Sequence, residues 1–95
     1  MSRFDQAKML MKVKKIQKEL EKQLIVIEKG EGSVRVEING EQKLKKIHID
    51  KEAVNDIEQL ELWLEEAVRE AINTSQKIAS EKMQPMMGAL GDLGL

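Results

Sequence analysis

Cysteine and tyrosine are absent from this 95-residue sequence, and proline, histidine, phenylalanine and tryptophan occur once each. Without cysteine there can be no disulfide, no thiolate metal site and no cysteine nucleophile. With Phe4 and Trp63 as the only aromatics, any core must be aliphatic. Long apolar runs are missing too: the longest, Leu24 to Ile27, falls far short of the roughly 20 residues that span a bilayer. No signal-peptide pattern opens the chain, so a soluble cytoplasmic protein is expected.

Catalytic chemistry is equally thin. Gly30-Glu31-Gly32 lacks the third glycine and the following helix that a dinucleotide fingerprint requires. His48 has no second histidine near it, and a metal site would need Asp50 and Glu52 to converge with it. The carboxylates between 50 and 70 follow helix faces without an evident partner to perturb a pKa. These absences lead to the expectation of a non-enzymatic protein with no cofactor, no metal and no small-molecule substrate.

A chain of this length forms one domain, and with 41% apolar residues it is marginal as a lone monomer, which favours oligomerisation. Residues 1–83 carry the periodic elements and are expected to form the domain. Residues 84–95, rich in Gly, Met and Leu with no consistent period, are expected to form a flexible or partner-docked tail.

Met9, Val13, Ile16, Leu20, Leu24 and Ile27 recur at helical spacing and fall within about 80° on a helical projection. Lys8, Lys12, Lys15, Lys18 and Lys22 occupy the opposite arc, broken by Met11 and Glu19. The first segment therefore reads as a long amphipathic helix with one basic face. The β-branched run Ile25-Val26-Ile27 then suggests a short strand before Gly30 and Gly32 interrupt.

Val34-x-Val36-x-Ile38 alternates, Asn39-Gly40 signals a turn, and Lys45 to Ile49 resumes the alternation, which together predict a hairpin. Parity favours a register with Ile38 opposite Lys43, Val36 opposite Lys45, Val34 opposite Ile47, Arg35 opposite Lys46 and Ser33 opposite His48. From Asp50, a short capped turn reaching Val54 is expected. A longer helix then begins at an Asn55/Glu58 capping box and continues to Pro85. Its row of Ala67, Ala71, Ser75 and Ala79 permits close approach of the sheet or another helix.

Charge is polarised along the chain. Residues 1–29 hold eight basic and four acidic side chains, whereas residues 50–70 hold eight acidic and two basic ones. Overall the 16 basic and 17 acidic residues nearly cancel, so a nucleic-acid function must rest on distribution. The same polarity also suits an assembly module, in which a basic helix pairs with a neighbour's acidic surface and DNA is not bound.

The assembled pattern resembles the YbaB/EbfC family of nucleoid-associated proteins. The likeness lies in the basic helix, Gly30 and Gly32, Val34-x-Val36-x-Ile38-Asn39-Gly40, and Ile47-x-Ile49-Asp50. It continues through Leu60-Glu61, Ala67-Val68, Ala71, Glu81-Lys82-Met83 and the Gly-Asp-Leu-Gly-Leu tail. Leu62-Trp63 and Arg69-Glu70 depart from the family pattern. The resemblance implies an α+β subunit, with order α-β-β-β-α-α and a three-stranded antiparallel sheet, in a symmetric homodimer with projecting helical arms. It also implies binding of double-stranded DNA with low sequence specificity in the bacterial nucleoid, affecting nucleoid organisation, gene expression or recombination and repair. Charge geometry nominates Lys8, Lys12, Lys15 and Lys22 for DNA contact, with Arg35 and Lys46 beside them. Leu62, Trp63, Val34 and Val36 are the expected dimer interface.

Overall fold

The computed structural model describes residues 3–92, with side-chain surroundings through Gly88. Helix α1 (Arg3–Lys22) leads into strands β1 (Leu24–Lys29), β2 (Val34–Asn39) and β3 (Leu44–Ile49), and helix α2 (Ile57–Asp92) closes the chain. The strands form one antiparallel sheet in the order β1-β2-β3. Only one helix follows the sheet, where two were expected. The segment after Asp50 makes a single turn over 51–53, held by Ala53 N–H on the Asp50 carbonyl and Glu52 N–H on Asp50 Oδ1.

The cap of α2 is Asp56, not Asn55: its Oδ1 accepts the Glu58 N–H at 3.0 Å, satisfying a donor that the first helical turn leaves free. At the other end α2 continues through Pro85 to Asp92, so an irregular tail does not begin at 84. Residues 93–95 of that expected tail lie outside the described residues. Proline removes one helical hydrogen bond, and the next side chain, Met86, is buried.

The core lies between α2 and the inner face of the sheet. Ile25, Val34, Val36 and Ile38 face Ala67 and Ala71, with Leu60, Trp63, Leu64, Val68 and Ile78 around them. The fully buried Ala67, Ala71 and Ser75 have side chains short enough to let the helix settle onto β1 and β2. At one end Trp63 lies against Gly30, where an added Cβ would come within 2.8 Å of three ring atoms. Gly30, Glu31 and Gly32 all have positive φ, and Ser33 donates from both its amide and its hydroxyl to the Gly30 carbonyl.

The hairpin keeps the expected parity in a different register. Val34 pairs with Ile49, Arg35 with His48, Val36 with Ile47, Glu37 with Lys46 and Ile38 with Leu44. A bulge between Glu37 and Ile38 absorbs one residue of β3. The turn also differs from the Asn-Gly type: neither Asn39 nor Gly40 is left-handed, and Gln42 is, at φ 62°. Its amide and its Nε2 both donate to Ser75 Oγ, and Nε2 also donates to the Gly40 carbonyl. Ser75 Oγ in turn donates to the Asn39 carbonyl at 2.7 Å, which ties the turn to α2.

Asn39 binds the turn to the other helix. Its Nδ2 donates to the Glu21 carbonyl at 3.2 Å, and its Oδ1 accepts from the Glu41 and Lys43 amides at 2.9 and 3.0 Å. Asn39→Ala strands these three backbone groups, so a loss of about 2–3 kcal/mol is expected. A lowered urea midpoint with an unchanged m-value would register it. Asn39→Asp, which keeps the acceptor but sets a buried carboxylate against the Glu21 carbonyl, should cost at least as much.

Candidate nucleic-acid interface

The sheet end that carries Asn39 and Gly40 is also where α1 finishes, since Gly40 N–H donates to the Leu20 carbonyl at 2.8 Å. From there α1 runs out beside the last part of α2. Its inward stripe, Met9, Val13, Ile16 and Leu20, is the less exposed one, and Leu20 is fully buried. Facing it, Met86 is buried and Lys82 reaches Glu19 at 3.6 Å. These two segments form an arm on a compact head, and the molecule measures 62 × 20 × 15 Å.

Because the apolar stripe of α1 is occupied, its opposite face meets solvent. Lys8, Lys12, Lys15 and Lys22 are all exposed on this helix, as are Lys14 and Lys18. At 1.5 Å per residue, Lys8 to Lys22 extends roughly 21 Å along the arm. Among the described residues, Lys15, Lys18 and Lys22 make no ion pair with a carboxylate, and Lys8 Nζ stands 4.5 Å from the centre of the Phe4 ring. Such ammonium groups are point charges on long stems, suited to phosphate oxygens and poor at reading base edges.

Arg35 and Lys46 sit elsewhere, on the outer face of the sheet. The register places Arg35 against His48 and Lys46 against Glu37, not against each other as expected. Arg35 Nη2 also lies 3.5 Å from Glu37 Oε1. Glu37 is therefore beside both cations, and their claim on an external anion is weaker than that of the arm. Lys43 and Lys45 are exposed on the same hairpin, and the bulge that presents Lys45 has no sequence signature.

The acidic stretch occupies the start of α2, on the head. Lys29 there is held by Glu70 at 2.6 Å, and Arg69 by Glu65 at 2.6 Å. The hydrogen bond to Glu70 raises the Lys29 pKa, so this amine stays charged and neutralised by its neighbour. Two basic groups of the head, Lys29 and Arg69, are thus neutralised by the carboxylates of α2, whereas Lys15, Lys18 and Lys22 of the arm face solvent without such a partner among the described residues.

The four expected interface residues separate. Val34 and Val36 are 0% and 1% exposed beneath α2, so in this conformation they have no surface to give a partner. Trp63 is half-buried against Gly30, and Leu62, next on the helix surface, is 49% exposed. A different apolar surface is open. Helix α2 covers β1 and β2 but leaves β3 bare, so Leu44 and Ile47, on the same face as the core residues they pair with, are exposed. Leu64, Val68 and Ile72 line a shallow groove along α2. The Lys29–Glu70 pair marks the β1 side of α2, and a helical projection puts Val68 and Ile72 on the opposite side, toward β3.

Among the described residues there is no helix long and apolar enough to cross a membrane, and no group of three His, Cys, Asp or Glu placed to hold a metal ion.

Comparison with known proteins agrees with this architecture. The model of the YbaB/EbfC DNA-binding family matches residues 2–90. A nucleoid-associated protein of Chlorobium phaeobacteroides is 34% identical over 79 residues, covering 83% of this chain and 71% of the relative. One from Chloroflexus aurantiacus is 34% identical over 83 residues, covering 85% and 83%. An uncharacterized Helicobacter pylori protein of known crystal structure superposes with a TM-score of 0.79 at 18% identity, covering 85% of this chain and 87% of that one, and so shares the fold.

Proposed function

Since the chain belongs to the YbaB/EbfC DNA-binding family, we propose that it is a non-enzymatic, homodimeric nucleoid-associated protein. It binds double-stranded DNA with low sequence specificity and acts in the nucleoid on DNA organisation, gene expression or recombination and repair. The observation that carries this reading is the lysine row of α1, which lies on the solvent face of a projecting arm while the acidic residues gather on the head. Lys8, Lys12, Lys15 and Lys22 are its principal contacts; Arg35 and Lys46 are secondary, because Glu37 sits beside both.

Affinity then comes mainly from counterion release and falls steeply with salt. The second copy is proposed to seat on the bare β3 face and the Leu64, Val68 and Ile72 side of α2, with Leu62 near its border. A two-fold pairing there would cover Leu44 and Ile47 and give two arms.

The test is anisotropy of a labelled duplex of about 30 base pairs, titrated at several salt concentrations. Wild type should bind with a log-linear salt dependence. Changing Lys8, Lys12, Lys15 and Lys22 to Glu should abolish binding near 0.1 M salt, and a milder change to Gln should flatten the slope by about four for each arm engaged. A folded wild-type dimer that fails to bind even at low salt would sink the reading. It would favour the assembly module, with the basic arm engaging an acidic head.

A further inference from the structure

The lysine row of α1 is not purely charged. On a helical projection Phe4, Lys8, Met11, Lys15, Lys18 and Lys22 fall within about 40° of one line. Phe4 is 67% exposed and Met11 71% exposed, both on the face turned away from α2. A single exposed apolar side chain on a surface is ordinary. Here two large ones alternate with cations along one stripe, and the first is held beside the Lys8 ammonium, 4.5 Å from its ring centre. Seven residues of helix separate them, roughly 10.5 Å, close to the rise of three base-pair steps along a duplex strand.

Resting on the DNA reading above, we infer that Phe4 and Met11 are apolar wedges. They press against base steps of the duplex whose phosphates the flanking lysines hold, partly unstacking and bending it. The lysines bring the backbone to the helix face, and side chains projecting between them then meet the groove floor, where apolar groups can lodge against exposed base edges. Binding thus gains a component that salt does not screen, since burial of apolar surface does not depend on released counterions.

A lipid surface would ask for the opposite arrangement. An interfacial helix needs one continuous apolar face, and the continuous face of α1, Met9 to Leu20, is already turned to α2. Two apolar side chains set among ammonium groups do not replace it.

Three proteins decide the matter: wild type, Phe4→Ala with Met11→Ala, and Met11→Lys. Each is titrated into a duplex of about 30 base pairs between about 0.05 and 0.4 M salt. Bending is read by energy transfer between end labels, and folding is checked by the urea midpoint. The double alanine variant should keep the salt slope, bind about tenfold more weakly at every salt concentration and lose the bend. Met11→Lys adds a cation to the row, so its slope should steepen by about one while its binding at high salt weakens. A double alanine variant that binds and bends DNA like wild type would overturn the inference, as would Met11→Lys binding more tightly at all salt concentrations. Sedimentation with vesicles of phosphatidylcholine and phosphatidylglycerol that requires Phe4 and Met11 would overturn it in favour of a lipid surface. Wild type that does not bind the duplex overturns the DNA reading itself, a result distinct from all of these.

Discussion

Replacing Gly40 by alanine is expected to lower stability by about 3 kcal/mol and to loosen the arm from the head. The reason is a close approach, not a special backbone angle. A Cβ at Gly40 would stand 2.8 Å from the Leu20 carbonyl oxygen and 3.0 Å from its Cα, and backbone cannot swing aside as a side-chain tip can. The same substitution presses on the 2.8 Å hydrogen bond from Gly40 N–H to that oxygen, which terminates α1 against the β2–β3 turn. For a domain of this size, 3 kcal/mol corresponds to a fall in Tm of roughly 12–24 °C. Gly88→Ala provides the contrast. It sits in α2 with open space around it, so alanine should stabilise by roughly 0.5–1 kcal/mol. Thermal denaturation of both variants at one protein concentration checks the pair, and equal Tm values would contradict the contact. Hydrogen exchange should further show the α1 amides opening before those of the sheet in Gly40→Ala.

Ile47→Asp addresses the proposed pairing surface. Ile47 is 41% exposed on β3, opposite Val36, so a carboxylate can remain hydrated in the free subunit and the fold should survive. In a two-fold interface the same carboxylate would be buried without a cation on each side, a cost of several kcal/mol. The expected result is a monomer by light scattering at concentrations where wild type is a dimer. Its affinity for a long duplex should fall by 100-fold or more, because two linked arms then act singly. A monomeric variant that binds as wild type does would show that the arms work independently. A variant that stays dimeric would place the interface elsewhere, with the exposed Leu62 the next surface to change.

The elements set by local periodicity were legible in the sequence. Met9, Val13, Ile16 and Leu20 form the inward stripe of α1, and Val34, Val36 and Ile38 face the core, because spacing along the chain dictates both. What depended on geometry across the chain was not. Parity cannot distinguish registers that differ by two residues, and the bulge at Lys45 plus the left-handed Gln42 set the actual one. Glutamine rarely advertises such a conformation, and this one is held by Ser75, 33 residues away. Pro85 read as a helix stop, while the burial of Met86 beyond it depends on tertiary packing.

The candidate site divides along the same line. Its lysine face followed from periodicity alone. The roles of Val34 and Val36 did not: their alternation marks a buried face without saying whether the subunit's own helix or a second copy covers it. Arg35 and Lys46 are neighbours only in the register that parity favours, and the bulge shifts them apart.

Lysines predominate on α1 of the arm and carboxylates on the head, in a molecule 62 Å long, so charge is separated along the subunit and gives it an electric dipole moment. In the field of a polyanion such a body is turned before it touches, arm foremost, so more collisions are productive and the association rate constant rises. Added salt shortens the reach of that torque to a Debye length of about 8 Å near 0.15 M. Ionic strength should then slow encounter well before it hastens escape.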